Sequence, residues 1–388
     1  REKAEQIEHI RLAVRQLCAK FGENYWLDMD RTLGYPTDFV AELTQAGFLG
    51  VLIPEQYGGS GLGVLEAAAV MEEVCRSGAH AGVCHAQMYV MGSVLRHGTD
   101  EQKAAYLPKI ANGELRLQSF GVTEPSTGTN TTSLKTTARK DGDEYVINGS
   151  KIWTSLGSYA KYMILLARTE KDTANKYAGL SFFLAPMTVP GVDPQPIKKL
   201  TGEYGFCQTY FNDARIPGSC LLGEEGAGWQ VAMITLTFER GATGGQAGGL
   251  ASMDLNVSDV VELARRAQRN GKPAIEDPLI RDELVRLLIE SESNSLMGKR
   301  AGIAALASDW PDAVPMSGKL RGSELKRCMC KLAVSLQGAN GARFVAADAI
   351  DGGMWQRSYF NAFSSTIGGG TSQIQKNILG ERVLGLPK

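Results

Sequence analysis

Apolar residues recur at mixed three- and four-residue spacing through the first part of the chain, as at Ile10, Leu12, Val14, Leu17 and Cys18, and again at Val40, Leu43 and Phe48. That period places one apolar face on each helix and predicts a helical domain over 1–117. The stretch 53–63 interrupts it with turn chemistry, Ile53-Pro54-Glu55-Gln56-Tyr57-Gly58-Gly59-Ser60-Gly61-Leu62-Gly63. Its glycines form part of a dinucleotide fingerprint, but no β-α-β pattern surrounds them, so a plain loop is expected. From 118 to 226 the pattern shortens to β-branched and aromatic runs at 117–122, 144–147, 162–167, 180–184 and 208–211. With turn dipeptides at Asp141-Gly142 and Asn148-Gly149, these runs predict a small antiparallel β domain. The helical period returns over 227–388, broken near Asn270-Gly271-Lys272-Pro273 and Asp309-Trp310-Pro311. The expected fold class is α+β, mostly α, with an N-terminal helical domain, a middle antiparallel β domain and a C-terminal helical bundle. Helical layers on a small central sheet leave clefts at their junctions, where flat cofactors and acyl chains are held.

Charge and composition narrow the function classes. The 388 residues carry 41 basic and 42 acidic side chains, a formal charge of −1, so no basic stripe is available for nucleic acid. No run approaches 18 apolar residues, so no membrane span is expected. The seven cysteines are odd in number and scattered without a CxxC pair. A reduced, cytoplasmic compartment is expected, with neither a disulfide framework nor a metal site. All four histidines (His9, His80, His85, His97) lie in the first quarter. A general base further along is therefore another residue type, unless the fold brings these back.

Four segments hold the candidate chemistry. Phe120-Gly121-Val122-Thr123-Glu124-Pro125, followed by Ser126-Thr127-Gly128-Thr129-Asn130, sits at a strand-to-loop transition. Its amides and hydroxyls suit a heterocycle edge and a phosphate, or simply a loop of Asx and Ser/Thr turns. Asn148-Gly149-Ser150-Lys151-Ile152-Trp153-Thr154-Ser155 reads as a hairpin entering a strand, its Trp either core or a stacking surface. Gly368-Gly369-Gly370-Thr371-Ser372-Gln373-Ile374-Gln375 places three glycines before a helix, which permits close backbone approach to a ligand. The fourth is Thr237-Phe238-Glu239-Arg240, on a helix otherwise apolar or small. Glu239 has no basic residue three or four positions away, and Arg240 points about 100° around the helix. Such a carboxylate is exposed, paired at long range, or poised as a base with a raised pKa.

Together with Pro54-Glu55-Gln56-Tyr57-Gly58-Gly59-Ser60-Gly61, Gly98-Thr99-Asp100-Glu101-Gln102-Lys103 with Tyr106-Leu107-Pro108, Asp141 to Lys151, and Glu381-Arg382-Val383-Leu384-Gly385, these segments resemble the flavin-dependent acyl-CoA dehydrogenases along nearly the whole chain. The resemblance implies an oxidoreductase acting on CH–CH groups in fatty acid or lipid catabolism, with FAD bound between subunits. It implies an acyl-CoA substrate, an electron-transfer flavoprotein or similar acceptor, and a homotetramer or a heterotetramer with a paralogous subunit. Carried over by position, Phe120, Gly121, Val122, Thr123, Trp153, Thr154 and Ser155 line the isoalloxazine, with Ser155 near N5. Gly128 and Thr129 lie along FAD or the pantetheine arm, Thr371 and Gln373 contact FAD, and Thr237, Arg240 and Gly369 face substrate.

The departures from the family pattern matter as much. The catalytic Glu that often precedes Gly-Thr is Gly369 here, and the aromatic before it is Gly368. The family's other base position, on the first helix of the C-terminal domain, aligns with Glu239; a minority branch uses it. Asn130 replaces the usual Asp. The Arg-x-x-Phe-Gly motif that reaches a neighbour's FAD is reduced to Arg269-Asn270-Gly271-Lys272, leaving Arg265, Arg266 or Arg269 as substitutes. In the implied reaction Glu239 takes the α proton and the β hydrogen leaves as hydride to flavin N5, with a Gly369 amide steadying the enolate oxygen. Two side chains missing from the glycine turn imply a cavity for branched, cyclic or bulky acyl groups. Three alternatives stand beside this: a base-deficient, flavin-sharing subunit of a hetero-oligomer; a relative catalysing another FAD-dependent elimination or an oxidase-type reaction; and a non-enzymatic acyl-CoA-binding protein, against which the intact flavin segments argue.

Overall fold

The structure, a computed structural model, describes residues 2–32, 34–171, 173, 175–237, 255–301, 313–344 and 347–387. It divides into two compact units, Arg1–Gly244 and Gly245–Lys388.

The first unit opens with six helices: α1 (Glu2–Cys18), α2 (Glu23–Thr32), α3 (Thr37–Gln45), α4 (Val64–Arg76), α5 (Ala81–His97) and α6 (Asp100–Ala111). Apolar faces such as Val14, Phe39, Leu43, Val70 and Val74 are fully buried, as the spacing requires. The buried Glu73 of α4 accepts from Arg15 at 3.1 Å and Arg11 at 3.2 Å, which ties α1 to α4. The segment 53–63 is the expected loop, with one 3₁₀ turn at Glu55–Tyr57. Gly98-Thr99-Asp100-Glu101-Gln102 forms a capping box, Thr99 and Gln102 each accepting from the other's backbone N–H. The Gln102 amide then donates to Ser219 and Leu221 carbonyls, both at 2.8 Å, and fastens α6 to the far end of the sheet.

Seven strands follow: β1 (Leu117–Gly121), β2 (Thr137–Asp141), β3 (Glu144–Ser155), β4 (Tyr162–Arg168), β5 (Leu180–Pro186), β6 (Val192–Lys198) and β7 (Tyr204–Pro217). Their order is β1-β4-β2-β3-β7-β6, with β5 also paired to β4. The helix α7 (Gly228–Thr237) closes the unit. The sheet is mixed rather than purely antiparallel, because β4 runs parallel to both β1 and β2. Two strands escape the hydrophobic pattern. β2 reads Thr-Ala-Arg-Lys-Asp and β6 Val-Asp-Pro-Gln-Pro-Ile-Lys, each with too few apolar positions to register. Asn148-Gly149 is not a turn but an irregularity inside β3, where the register with β7 shifts. Asp141-Gly142 does connect β2 to β3. β6 is an edge strand, with Pro194 and Pro196 opposite Thr209 and Cys207.

The second unit holds α8 (Val257–Arg266), α9 (Pro278–Ala301), α10 (Ala313–Leu336), α11 (Met354–Ser365) and the short α12 (Ser372–Ile378). Asn270-Gly271 is the turn of a two-strand hairpin, β8 (Gln268–Arg269) with β9 (Lys272–Pro273), both turn residues having positive φ. The break at 309–311 lies outside the described residues. The core of this unit gathers Val260, Leu263, Leu284, Met329, Leu332 and the fully buried Trp355. Among the described residues no helix is long and apolar enough to cross a membrane.

Asp351 anchors that core from its rim, held at φ +49° between Arg266 and Trp355. Arg266 donates to both its carboxylate oxygens at 3.1 and 2.9 Å, and Trp355 Nε1 donates at 2.7 Å. The Arg266 hydrogen bonds outweigh the cost of partial burial and hold the Asp351 carboxyl below its ordinary 3.8. A carboxyl depressed by folding stabilises above its unfolded-state pKa and loses that contribution as pH falls through its lower folded value. Asp351→Asn keeps a residue that tolerates positive φ. It should lower stability at neutral pH by about 0.5–1 kcal/mol, the range for a screened ion pair, and match the parent in acid below both pKa values. Urea titrations at neutral and acid pH test this; an equal difference at both would refute it.

Candidate functional site

The structure brings two of the four segments together in the first unit. β1 ends at Gly121, where a Cβ would stand 2.4 Å from Met163 Sδ of β4, so glycine lets the strands close. Val122 is buried, Phe120 and Thr123 half-buried. The chain then loops out and returns at β2, and Glu124 closes the neck of that loop. Its carboxylate accepts from Lys135 N at 2.6 Å, Thr136 N at 2.9 Å and Lys151 Nζ at 2.8 Å. Its backbone exchanges two 3.1 Å bonds with Thr127. Lys151 of β3, fully buried, also donates to Val122 O at 3.2 Å, and Ile152 N donates to Thr123 O at 2.9 Å. The segment 120–123 is thereby fixed alongside 153–155.

The two charges are unequally compensated. Burial pushes the Glu124 carboxyl up, but the Lys151 charge and three donors outweigh it, and its pKa falls below the ordinary value. Burial pulls the Lys151 ammonium down to about 8, against the attraction of Glu124. Among the described residues the ammonium finds two acceptors for its three N–H groups.

Just beyond Lys151 the pairing of β3 with β7 shifts again, and Trp153 takes φ +60°. Such a bulge re-aims a side chain at a cost of about 1 kcal/mol or more. The Trp153 ring is 53% exposed and meets Phe206 edge-on at 6.1 Å. Thr154 points inward, its hydroxyl bonded to Cys207 O and Thr209 Oγ1, both at 2.9 Å, which fixes the strand beside Trp153. Ser155 is half-buried, and Gly128 and Thr129 are exposed on the loop. The Thr127 hydroxyl is buried without a partner among the described residues. A half-exposed indole beside a fixed strand end, with an unsatisfied hydroxyl on the adjoining loop, suits a flat polar heterocycle such as the flavin of FAD.

In the second unit, Gly369 and Gly370 have φ +65° and +94°. Gln375, fully buried on α12, donates to Gly369 O at 3.0 Å, and Lys319 of α10 donates to Gly370 O. The N–H groups of Gly369 and Gly370 find no partner among the described residues and remain available to an oxygen ligand. Thr371 caps α12, its hydroxyl accepting from Ile374 N at 3.2 Å, while Gln373 is exposed. At Gly368 a Cβ would meet only Ser364 O at 3.5 Å, so the backbone does not require glycine there. Each candidate arginine is engaged within its own unit: Arg265 with Glu262 at 2.6 Å, Arg266 with Asp351, and Arg269 with Asp277 at 3.2 Å. Thr237 ends α7; Glu239 and Arg240 lie outside the described residues.

The chain matches three consecutive family descriptions: acyl-CoA dehydrogenase N-terminal domain at residues 4–114, middle domain at 119–214 and C-terminal domain at 226–384. It belongs to the acyl-CoA dehydrogenase family. As an acyl-CoA dehydrogenase it is an enzyme of the oxidoreductase class. The acyl-CoA dehydrogenase IpdE1 of Mycobacterium tuberculosis is 39% identical over 353 residues, covering 89% of this chain and 86% of that one. Among solved structures, the ChsE4–ChsE5 complex of M. tuberculosis is similar at TM-score 0.81 and 29% identity, covering 99% of this chain and 98% of that one. A steroid ACAD, Tcur3481–Tcur3483, is similar at TM-score 0.81 and 28% identity, with the same coverage. In this acyl-CoA dehydrogenase one buried pair joins the Thr-Glu-Pro and Asn-Gly-Ser-Lys segments. Glu124 and Lys151 escape a search for reactive groups because both are consumed in holding backbone. The hint was their place inside two separate motifs.

Gly149 belongs to the same assembly. It has φ +139°, and a Cβ would stand 2.6 Å from Thr136 Oγ1 and 2.7 Å from Thr136 Cα. Gly149→Ala should therefore cost about 2 kcal/mol or more by strain and clash. A parent-like urea midpoint for that variant would contradict this account.

Proposed function

We propose that this enzyme carries out the α,β-dehydrogenation of an acyl-CoA thioester with a branched, cyclic or otherwise bulky acyl group, using FAD, with Glu239 as the base. The observation that carries the reading is the glycine turn. Its Gly368 and Gly369 supply no carboxylate where many relatives carry one, while the amides of Gly369 and Gly370 have no partner among the described residues. Glu239, on an apolar stretch with no basic residue a turn away, is the carboxylate left to serve. FAD, when bound, supplies the acceptor for the β hydrogen. On the first unit Phe120, Gly121, Val122, Thr123, Trp153, Thr154 and Ser155 would hold its ring, with Gly128 and Thr129 adjoining it; on the second unit of this or a neighbouring copy, Thr371 and Gln373 would contact FAD. The Gly369 amide orients the thioester carbonyl and stabilises charge on its oxygen as Glu239 removes the α proton, with Thr237 and Arg240 along the CoA arm. The expected acceptor is an electron-transfer flavoprotein or similar protein.

The absent side chains at 368 and 369 favour a bulky acyl group, and the likeness to a protein described as a steroid ACAD supports fused rings. A second reading, a flavin-sharing subunit in a hetero-oligomer, draws on another observation. Arg265, Arg266 and Arg269 are each paired at home, and the similar ChsE4–ChsE5 structure is a complex of two proteins.

Glu239→Gln should retain FAD while slowing substrate-driven bleaching of the flavin band by on the order of 10²-fold. Near-parent bleaching would rule Glu239 out as the base. Comparing kcat/KM for butyryl-CoA with ring-bearing acyl-CoAs tests the substrate class, one unmatched methylene being worth about 1–3 kcal/mol. A preference for the short linear chain would overturn it. A purified chain that is colourless alone but yellow with a paralogous subunit would favour the second reading.

A further inference from the structure

The residues proposed to hold the flavin ring on the first unit are not self-supporting. The segment 120–123 leaves the sheet at Gly121, and 153–155 follows a bulge with Trp153 at φ +60°. Lys151 bridges them: its ammonium reaches Val122 O on one side and Glu124 on the other, from the strand position two residues before Trp153. Glu124 in turn gathers Lys135 N and Thr136 N, which close the loop carrying Thr127, Gly128 and Thr129. Every first-unit group proposed to hold the ring thus lies within a few residues of one end of this pair.

We propose that Glu124 and Lys151 are positioning residues for FAD, setting cofactor affinity by fixing the spacing of the two ring-facing segments. This rests on the proposed function in taking those segments as the flavin surface. The simpler alternative is a buried pair that serves folding alone. The two differ in one respect. A pair that serves only folding can be replaced by a neutral, similarly sized pair without loss of cofactor, whereas a positioning pair cannot, because Val122 O then loses its donor.

The test compares the parent with Lys151→Met and with the double variant Glu124→Gln/Lys151→Met, using the purified protein with any subunit that copurifies. Two quantities are read: the FAD dissociation constant from the visible flavin band, and the urea midpoint of the apoprotein. Lys151→Met strands a buried carboxylate and should lose both stability and cofactor. The double variant removes both charges and should recover most of the urea midpoint lost by Lys151→Met. Its FAD affinity should remain weaker by about tenfold or more, with an altered flavin band. A double variant that recovers the midpoint and binds FAD within about twofold of the parent overturns the positioning role, leaving the cofactor reading intact. A parent that binds no FAD either alone or with a paralogous subunit overturns the cofactor reading itself, and this proposal with it.

Discussion

Burying a carboxylate and an ammonium together is tolerable only if nearly every lone pair and N–H finds a partner, and that constraint organises the first unit. The Glu124–Lys151 pair meets it by tying a side chain from the middle of β3 to backbone at two places, the end of β1 and the approach to β2. Losing one partner from such a pair typically costs about 3–5 kcal/mol, so all three stretches are committed to one geometry. Gly149 belongs to the same commitment, since Thr136 packs where a side chain would begin. The bulge that presents Trp153 lies immediately downstream. A strained residue persists where neighbouring contacts over-determine it, and here the anchor is two residues away.

The second unit solves a similar problem by other means. At its glycine turn, side chains reach in from α10 and α12, and the Lys319 ammonium and Gln375 amide take the carbonyls of Gly370 and Gly369. Holding the carbonyls orients the peptide planes while leaving two amides unspent. The same unit fixes Asp351 at positive φ by two bonds from Arg266 and one from the indole of Trp355.

Much of the fold is legible in the sequence, because burial imposes period. The helices of 1–117 and the apolar strands β1, β4 and β5 follow from spacing alone. β2 and β6 do not, because their outward or edge positions hold polar residues and prolines, and pairing with β3 and β7 makes them strands. The parallel contacts of β4 depend on how the chain crosses the sheet, which no local pattern encodes. Asn-Gly illustrates the same limit. At 270–271 it makes a hairpin turn, whereas at 148–149 it lies inside a long strand because Thr136 crosses there. In the site, exposed or apolar residues such as Trp153 are legible as surfaces, and motif order identifies the family. The roles of Glu124, Lys151, Lys319 and Gln375 are not legible, since each acts on backbone far away in sequence or on a turn whose shape the sequence does not specify.

The prolines of β6 carry a consequence for how copies of this protein meet. An antiparallel strand alternates its N–H groups between the neighbour and open solvent. Pro194 and Pro196, two residues apart, have no N–H to give β7, and Val192 of the same set turns its N–H to Val189 O, so this set faces away from β7. The free edge therefore lacks two consecutive donors that an incoming strand would need. Strand addition along β6 is disfavoured both for another copy and for an unfolded chain passing by. The sheet is closed to growth on that side by composition, and association is left to surfaces that recognise side chains.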